Sequence, residues 1–364
     1  MNVTIVGAGI VGCAIAHELA SRGARVRVVD PRGTGQGATR ASAGILAPHI
    51  EGHIEPLHRL GIRSLALYDS FVERLRSETD QPVEYERAGT LQVASKGEDL
   101  ERLRDQAVRL SAAGVTTALL SRVEVRSMEF HLADWVAGGL LIPDQGYVTV
   151  TPLVNALAAA AEKRGARFVS ERVVGVHGSE HGAQITTMDS TIDADAVVIA
   201  AGSWSPEVAA VTGWPPPVKP IRGQLLQLRA VNRAAKHVVW SGGCYVVPWQ
   251  NGTSLVGATV EDVGFHETAT AEGVQSLLTA ATSLLPDLAS ATFEGVRVGL
   301  RPMTNDELPV IGPSSKLRNV FFATGHYRNG ILLAPLTAAV VADLLLEGRE
   351  APELAFTKPS RFGL

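Results

Sequence analysis

A glycine-rich turn near the N-terminus constrains the fold of this chain more than any other feature. Residues 2–6 form a short β-rich run, the letters GAGIVG then open a helical pattern, and a second predicted strand ends at Asp30. In such a unit Gly7 permits the tight turn, Gly9 admits a pyrophosphate to the backbone, and Gly12 lets helix and strand pack closely. Asp30 lies 18 residues after Gly12, near the roughly 20 typical of an acid that binds ribose. The segment therefore predicts a dinucleotide-binding βαβ unit.

A second glycine-containing segment lies far along the chain, at residues 325–335, and leads into an apolar helical pattern. A helix N-terminus carries unpaired N–H groups and a partial positive charge, so it can hold an anion or a polar ligand edge. Two such sites suggest a long ligand bound at both ends, and a flavin dinucleotide fits better than a mononucleotide. An NAD dehydrogenase would leave the second segment without a role.

Composition limits the class of protein. The 364 residues favour two lobes, and a net charge of −4 without a basic stripe argues against nucleic acid as a partner. The apolar run at 331–346 is interrupted by Pro335 and Asp343, so a buried helix is expected rather than a membrane span. Two cysteines in a chain of this size predict a cytoplasmic protein without a disulfide framework.

The order of predicted elements indicates an α/β fold with an inserted second domain. Thr151 and Pro152 predict a helix start, as N-cap and first helical residue, and residues 195–202 predict a buried parallel strand. Other stretches have alternating strands, which predict a mainly antiparallel α+β substrate domain that interrupts the Rossmann-like domain. The predicted boundaries are 1–85, 145–218 and 298–364 for an FAD-binding domain, and 86–144 and 219–297 for a substrate-binding domain.

Several stretches together carry a family resemblance over essentially the whole length. They are 6–12 with Asp30, 38–48, 197–204, 219–224, 299–302 and 325–335. In these stretches the chain resembles the D-amino-acid-oxidase-like FAD-dependent oxidoreductases, and within them the glycine oxidase branch of thiamine biosynthesis. The first motif is shared by many flavoproteins, whereas the motif at residues 325–335 is shared by far fewer.

The resemblance implies FAD as the cofactor. It carries over a set of cofactor-binding positions: Gly7, Gly9, Gly12, Asp30, Thr39, Arg40, Ser42, Gly44, Leu46, Val174, Ala201, Gly202, Gly325, His326, Arg328, Asn329, Gly330, Ile331 and Leu332. Related sarcosine oxidases carry a cysteine in the C-terminal half that links to the flavin. Here the only late cysteine is Cys244 in the expected substrate-domain sheet, so non-covalent FAD is predicted.

The resemblance also implies how a substrate is held. Arg301 matches a strand arginine that binds a carboxylate through two parallel hydrogen bonds, and Tyr245 matches a pocket tyrosine that contacts the same group. The alternatives are an interface salt bridge for Arg301 and a core position for Tyr245. Arg328 either contacts substrate or caps local carbonyls, and Val260 with the loop 261–268 is expected to shape the pocket mouth.

The implied reaction is oxidative deamination of a small amino acid. Glycine, dioxygen and water would give glyoxylate, ammonia and hydrogen peroxide through an imine, in the service of thiamine thiazole synthesis, with no side-chain general base. Alternatives are an oxidase or dehydrogenase acting on sarcosine, D-proline or another D-amino acid, and the flavin domain of an RNA-modifying system. The expected partners are the amino acid and dioxygen, without nucleic acid or membrane, and a homo-oligomer is left open.

Two further patterns receive structural interpretations. His49, His53 and Glu55 with His58 have partly metal-like spacing. Gly52 and Pro56 interrupt the helix that such a site would use, so solvent-facing or pocket-lining histidines are expected rather than a metal site. The segment 84–86, Glu-Tyr-Glu, is interpreted as a solvated charged edge.

Overall fold

The fold is known from a computed structural model that describes residues 1–50, 54–210 and 212–364. Within these residues the α-helices are α1 (Ile10–Ser21), α2 (Glu55–Glu78), α3 (Glu98–Ala112), α4 (Arg122–Met128), α5 (Val150–Lys163), α6 (Ser205–Ala210), α7 (Ala271–Leu284) and α8 (Gly330–Glu347). Short 3-10 helices occur at Gly202–Trp204, Pro286–Ser290, Pro352–Phe356 and Pro359–Phe362.

The β-strands of the described residues assemble into four sheets. They are β1 (Asn2–Val6), β2 (Arg25–Val29), β3 (Ile45–Leu46), β4 (Tyr85–Glu86), β5 (Thr90–Ala94), β6 (Ala118–Ser121), β7 (Gly138–Ile142), β8 (Gly146–Val148), β9 (Arg167–Val169), β10 (Val173–Ser179), β11 (Gly182–Thr187), β12 (Thr191–Ala194), β13 (Ala196–Ile199), β14 (Val218–Arg229), β15 (Val238–Trp240), β16 (Tyr245–Pro248), β17 (Thr253–Gly257), β18 (Thr292–Thr304), β19 (Val310–Pro313) and β20 (Val320–Thr324).

A six-stranded sheet forms the first lobe, in the order β19-β20-β13-β1-β2-β9. Its strands are parallel except for the edge strand β19. The expected buried parallel strand is confirmed, because β13 pairs in parallel with both β1 and β20 and all four of its residues are buried. Helices α1, α5 and α8 pack together beside this sheet, and their apolar residues join the largest hydrophobic cluster.

An eight-stranded sheet forms the second lobe, in the order β18-β14-β17-β16-β15-β5-β7-β6. All its neighbours are antiparallel except the β15–β5 pair. The strands β14 and β18 pair along most of their length, from Val218 opposite Thr304 to Arg229 opposite Thr292. Two three-stranded sheets, β10-β11-β12 and β3-β8-β4, complete the molecule. The predicted fold class, a Rossmann-like lobe with a mainly antiparallel second sheet, is confirmed.

Helix α8 contains a proline, and a side chain of α2 supplies the hydrogen bond that the proline cannot donate. Pro335 has no N–H, so the carbonyl of Ile331, four residues earlier, lacks its helical donor. The hydroxyl of the fully buried Tyr68 donates to this carbonyl oxygen at 2.6 Å, and Leu336 N donates to Ser64 Oγ at 3.3 Å. Among the described helices, α8 is long and apolar enough to cross a bilayer, yet most of its residues are buried against α1 and α2. It is a core helix.

The predicted start of α5 is wrong by two residues. The helix begins at Val150, with Thr149 as the N-cap, and Thr151 is already helical. The Thr149 side chain makes no cap hydrogen bond, because its hydroxyl instead accepts from the backbone N–H of Glu84 at 3.0 Å. Pro152 still lies in the first turn, where the missing N–H has no helical partner to lose. Similarly, Pro56 lies at the start of α2 rather than interrupting it.

The interpretation of residues 84–86 as a solvated edge is also wrong. Glu84 accepts hydrogen bonds from the Tyr147 hydroxyl and from the backbone N–H of Gln250, and Glu86 forms an ion pair with Arg233 at 2.6 Å. Burial raises the pKa of Glu86, but hydrogen bonds from Gln250 and Arg233 hold this pKa below its usual value. These carboxylates connect the two lobes because β4 lies beside the loop that follows β16.

Candidate active site

A cavity of about 640 Å³ lies where the parallel strands of the first lobe end and the second sheet begins. The residues that follow β1, β2, β13 and β20 all line it, as expected at the carboxyl edge of such a sheet. Two glycines make this edge accessible. An ideal Cβ at Gly7, which has φ +114°, would lie 2.4 Å from the carbonyl oxygen of Ala200, and one at Gly12 would lie 1.9 Å from the oxygen of Gly7.

The N-terminus of α1 faces this cavity. Gly9 is its N-cap, and the Ile10 N–H donates to Thr39 Oγ1 at 3.0 Å. The carboxylate of Asp30 accepts from the backbone N–H groups of Ala8 and Arg32, each at 2.8 Å. Each carboxylate oxygen keeps a further lone pair, so Asp30 is held at the end of β2 and can still accept from a ligand hydroxyl.

The N-terminus of α8 faces the same cavity. Tyr327 has φ +47°, and its N–H donates to Pro302 O at 2.8 Å, which fixes the turn that leads to the N-cap Asn329. His326 is buried, and its Nε2 lies 3.0 Å from Thr337 Oγ1. Burial lowers the pKa of His326 to about 4, so its imidazole is neutral at physiological pH. The second N-terminus therefore meets the ligand with a neutral side chain and a positive helix dipole.

The cavity brings together most of the residues predicted from the sequence. Those that line it are Gly7, Gly9, Asp30, Thr39, Ser42, Gly44, Val174, Ala201, Gly202, Tyr245, Arg301, His326, Arg328, Asn329, Gly330, Ile331 and Leu332. Four predicted positions lie outside the lining. Gly12 packs against Gly7, Leu46 is fully buried on β3, Gly325 forms a turn with φ +74° against Thr304, and Arg40 is exposed.

Arg301 projects from β18 into the cavity with little competition for its guanidinium. In the described part of the chain, its one hydrogen bond runs from Nη1 to the carbonyl oxygen of Thr259, at 2.9 Å. The guanidinium lies over Gly223 of β14, where an ideal Cβ would be 2.3 Å from Nη2. An interface salt bridge, the structural alternative for this arginine, is not seen among the described residues. Its remaining N–H groups are available to a ligand.

Tyr245 lies in the same part of the cavity and also rests on a glycine. An ideal Cβ at Gly257 would be 2.4 Å from the Tyr245 hydroxyl oxygen, and Trp240 packs against the ring with centroids 5.1 Å apart. The tyrosine is half-buried, lines the cavity and also packs against a hydrophobic cluster of the second sheet. Gly223 and Gly257 were missed from the sequence, because only the strand pairing shows which side chain occupies the space above each.

Two other polar side chains at the cavity, and one buried cysteine outside its lining, have defined surroundings. Arg328 is exposed, and its guanidinium lies 5.2 Å from the centre of the Tyr327 ring. Cys244 is buried at the wall, and burial raises the pKa of its thiol to about 11, so it is protonated at neutral pH. Cys13 is buried on α1 and donates to Ala8 O at 3.3 Å. Neither cysteine is in a disulfide.

The histidine pattern near residue 50 forms a hydrogen-bonded pair in the described residues. His49 Nδ1 and His58 Nε2 are 2.8 Å apart, and burial together with the neighbouring His58 lowers the pKa of His49 to about 4. His53 lies outside the described residues. Within the described ranges, no cluster of three or more His, Cys, Asp or Glu side chains could hold a metal ion.

The residues around the cavity fit a flavin dinucleotide. A tight glycine turn, a helix N-terminus and a carboxylate at the end of β2 occupy one side, and these are the groups that bind a pyrophosphate and a ribose. A second helix N-terminus, at α8, occupies the other side. The donor set therefore matches a long ligand with anionic and polar parts.

Comparison with known proteins places this arrangement in a family. A glycine oxidase of Geobacillus kaustophilus is 36% identical over 358 residues, which cover 97% of this chain and 95% of that protein. Its crystal structure superimposes with a TM-score of 0.94, covering 99% of this chain and 98% of that one. The bifunctional protein ThiO/ThiG of a Nostoc species is 35% identical over 99% of this chain, which spans 55% of that longer protein.

A second solved structure, iminodiacetate oxidase from Chelativorans sp. BNC1, is 27% identical with a TM-score of 0.91, covering 98% of each chain. The family model described as FAD dependent oxidoreductase matches residues 2–344. FAD is accordingly the cofactor, and the chain belongs to the FAD dependent oxidoreductase family.

Proposed function

We propose that this enzyme catalyses the oxidative deamination of glycine, giving glyoxylate, ammonia and hydrogen peroxide. The observation that carries the proposal is the guanidinium of Arg301, which faces the cofactor cavity with most of its N–H groups available. Similarity to a glycine oxidase along nearly the whole chain supports the same reaction. We also propose that the product serves thiamine thiazole synthesis, as the resemblance to that branch suggests.

In this proposal the protein binds and orients the substrate. Arg301 holds the carboxylate in two parallel hydrogen bonds, because its planar fork matches the spacing of the two oxygens. The Tyr245 hydroxyl contacts the same carboxylate, and Arg328 closes the site near Tyr327. Bound FAD supplies the hydride acceptor. We assign no general base, since the neighbouring His326 is already hydrogen-bonded to Thr337.

The assignment of the remaining residues follows from this proposal. We propose that FAD is bound without a covalent link by the predicted cofactor-binding residues, and the high pKa of Cys244 supports this because a protonated thiol is a poor nucleophile. We propose a FAD-binding domain at 1–85, 145–218 and 298–364, and a substrate domain at 86–144 and 219–297. A cytoplasmic setting is also proposed.

The test is an anaerobic absorbance titration of the purified yellow protein with glycine, sarcosine, D-alanine and D-proline, followed by admission of air. Bleaching by glycine, prompt recovery of colour and release of peroxide are expected. Bleaching by D-proline alone, or no recovery in air, would replace the glycine oxidase proposal with a secondary-amine oxidase or a dehydrogenase. Acid precipitation should leave the flavin in the supernatant if it is not covalently bound.

A second candidate substrate class is that of secondary amines. It is favoured by the 27% identical iminodiacetate oxidase, whose fold covers 98% of this chain. Steady-state turnover of sarcosine and iminodiacetate in air distinguishes the two classes. A higher kcat/KM with either of them than with glycine would show that the preferred substrate is a secondary amine.

A further inference from the structure

Residues 259–270, which connect β17 to α7, form a segment that we call the strap. It is attached to β14 by an ion pair of low exposure: Arg222, whose side chain is 7% exposed, donates to Glu261 Oε2 from Nε at 2.9 Å and also from Nη2. The two residues exchange backbone hydrogen bonds as well, at 2.8 and 3.0 Å. Although burial raises the pKa of Glu261, the Arg222 guanidinium holds it below its usual value, so Glu261 is an anion on the strap.

Gln224, fully buried two residues further along β14, extends this attachment. Its Nε2 donates to Glu261 Oε1 at 2.8 Å and to Thr270 Oγ1 at 2.9 Å, and its Oε1 accepts from Thr270 N at 2.9 Å. Because Gln224 is fully buried, each of its hydrogen bonds would be costly to leave unmade. The strap is therefore held against β14 near its two ends, whereas residues 262–266 between them are exposed.

Thr259, at the beginning of the strap, is where this attachment meets the substrate site. Its N–H donates to Gln224 O at 3.2 Å, its hydroxyl accepts from Gln224 N at 2.8 Å, and its carbonyl oxygen accepts from Arg301 Nη1 at 2.9 Å. That last contact is the hydrogen bond that Arg301 makes within the described residues. The angle at which the guanidinium faces the cavity thus depends on where Thr259 O lies.

We propose that Glu261 is a positioning residue: through its pair with Arg222 it fixes the strap, and through Thr259 O it orients the guanidinium of Arg301 toward the substrate carboxylate. The inference rests on the proposed function in that Arg301 is taken to bind a carboxylate. Glu261 itself does not touch substrate. Its effect is geometric, because bidentate binding requires both N–H groups to be aligned at once.

The test compares Glu261→Gln with a matched control at the other end of β14. Glu294→Gln changes a carboxylate that likewise pairs with an arginine and a glutamine of β14, Arg229 and Gln227, and that does not line the cavity. For Glu261→Gln holoenzyme, KM for glycine and Kd for acetate, a carboxylate that cannot be deaminated, should each rise on the order of tenfold. We expect kcat to change less than about threefold, because saturating substrate still selects the aligned guanidinium. Glu294→Gln should match wild type.

Unchanged KM and acetate affinity in a folded, FAD-loaded Glu261→Gln variant would overturn the inference, and so would a loss of kcat without a loss of acetate affinity. If that variant does not fold, Gln224→Met removes the hydrogen bond to Glu261 and both hydrogen bonds to Thr270 while keeping the ion pair. A smaller loss of acetate affinity, about threefold, is then expected, and wild-type affinity would overturn the inference.

The acetate measurement separates this inference from the proposed function. Suppose that wild type binds acetate, that Arg301→Ala abolishes this binding, and that glycine is not oxidised. The proposed reaction is then wrong, but Glu261→Gln still tests the positioning of Arg301. If wild type binds no acetate, or Arg301→Ala binds it as wild type does, Arg301 is not the carboxylate site and the inference fails with it.

Discussion

The hydrogen bond from Tyr68 to Ile331 leads to a quantitative prediction about α8. Tyr68→Phe removes the hydroxyl that serves the Ile331 carbonyl and keeps the ring against Phe71 and Tyr85. Since Tyr68 is fully buried and Pro335 provides no N–H, the carbonyl is left without a donor. An unsatisfied buried acceptor costs about 1–3 kcal/mol, so we expect a loss of about 2 kcal/mol in the free energy of unfolding.

The assay is urea unfolding with saturating FAD, carried out on a double-mutant cycle. Pro335→Ala supplies an N–H for Ile331 O, so the cost of Tyr68→Phe in that background should fall below about 0.5 kcal/mol. Tyr85→Phe is the matched control, because its hydroxyl bonds Asp69 Oδ1 near the surface and its removal should cost under about 0.5 kcal/mol. Equal costs of Tyr68→Phe in both backgrounds would refute the reasoning.

Three further predictions concern the site. Arg301→Ala should raise KM for glycine on the order of 100-fold, from a lost charge-assisted pair, while the spectrum of bound flavin stays unchanged; loss of flavin would instead make Arg301 structural. Gly223→Ala places a Cβ against the Arg301 guanidinium, so it should weaken acetate binding at least about tenfold. Gly175→Ala on β10 is the control, because its Cβ would make ordinary contacts of 3.4 Å or more and should leave acetate binding unchanged. Because burial lowers the pKa of His326 to about 4, the unfolded chain takes up more protons below pH 6.5, so stability should fall between pH 6.5 and 4. His326→Asn should remove about 2 kcal/mol of that dependence between pH 7 and 5, and an unchanged dependence would show that His326 is not its source.

Local patterns predicted the elements that depend on local chemistry. The first βαβ unit and the buried strand β13 lie where the sequence indicates. The failure at Thr151 has a tertiary cause, because the hydroxyl of Thr149 is used by the backbone of Glu84, 65 residues away. Nothing near residue 149 in the sequence reveals that contact.

The candidate substrate residues were predicted from the family resemblance. Arg301 and Tyr245 match positions of the related oxidoreductases, and both line the cavity. The surfaces beneath them were not found, because the space over Gly223 and Gly257 depends on the register of β14, β16, β17 and β18. For the same reason, the segment 84–86 was misread as solvated, since its partners come from distant loops.

The neutral partner of Arg301 has a consequence for how the enzyme responds to its medium. Because Thr259 offers a carbonyl and not a carboxylate, no carboxylate among the described residues pairs with the guanidinium before substrate arrives. Small solution anions should fill that role, so in the proposed reaction the carboxylate of zwitterionic glycine displaces a bound anion. The apparent KM should rise in proportion to chloride concentration, and anions too large to enter the cavity should leave it unchanged. Ionic composition, and not ionic strength alone, would then set the working affinity of the enzyme.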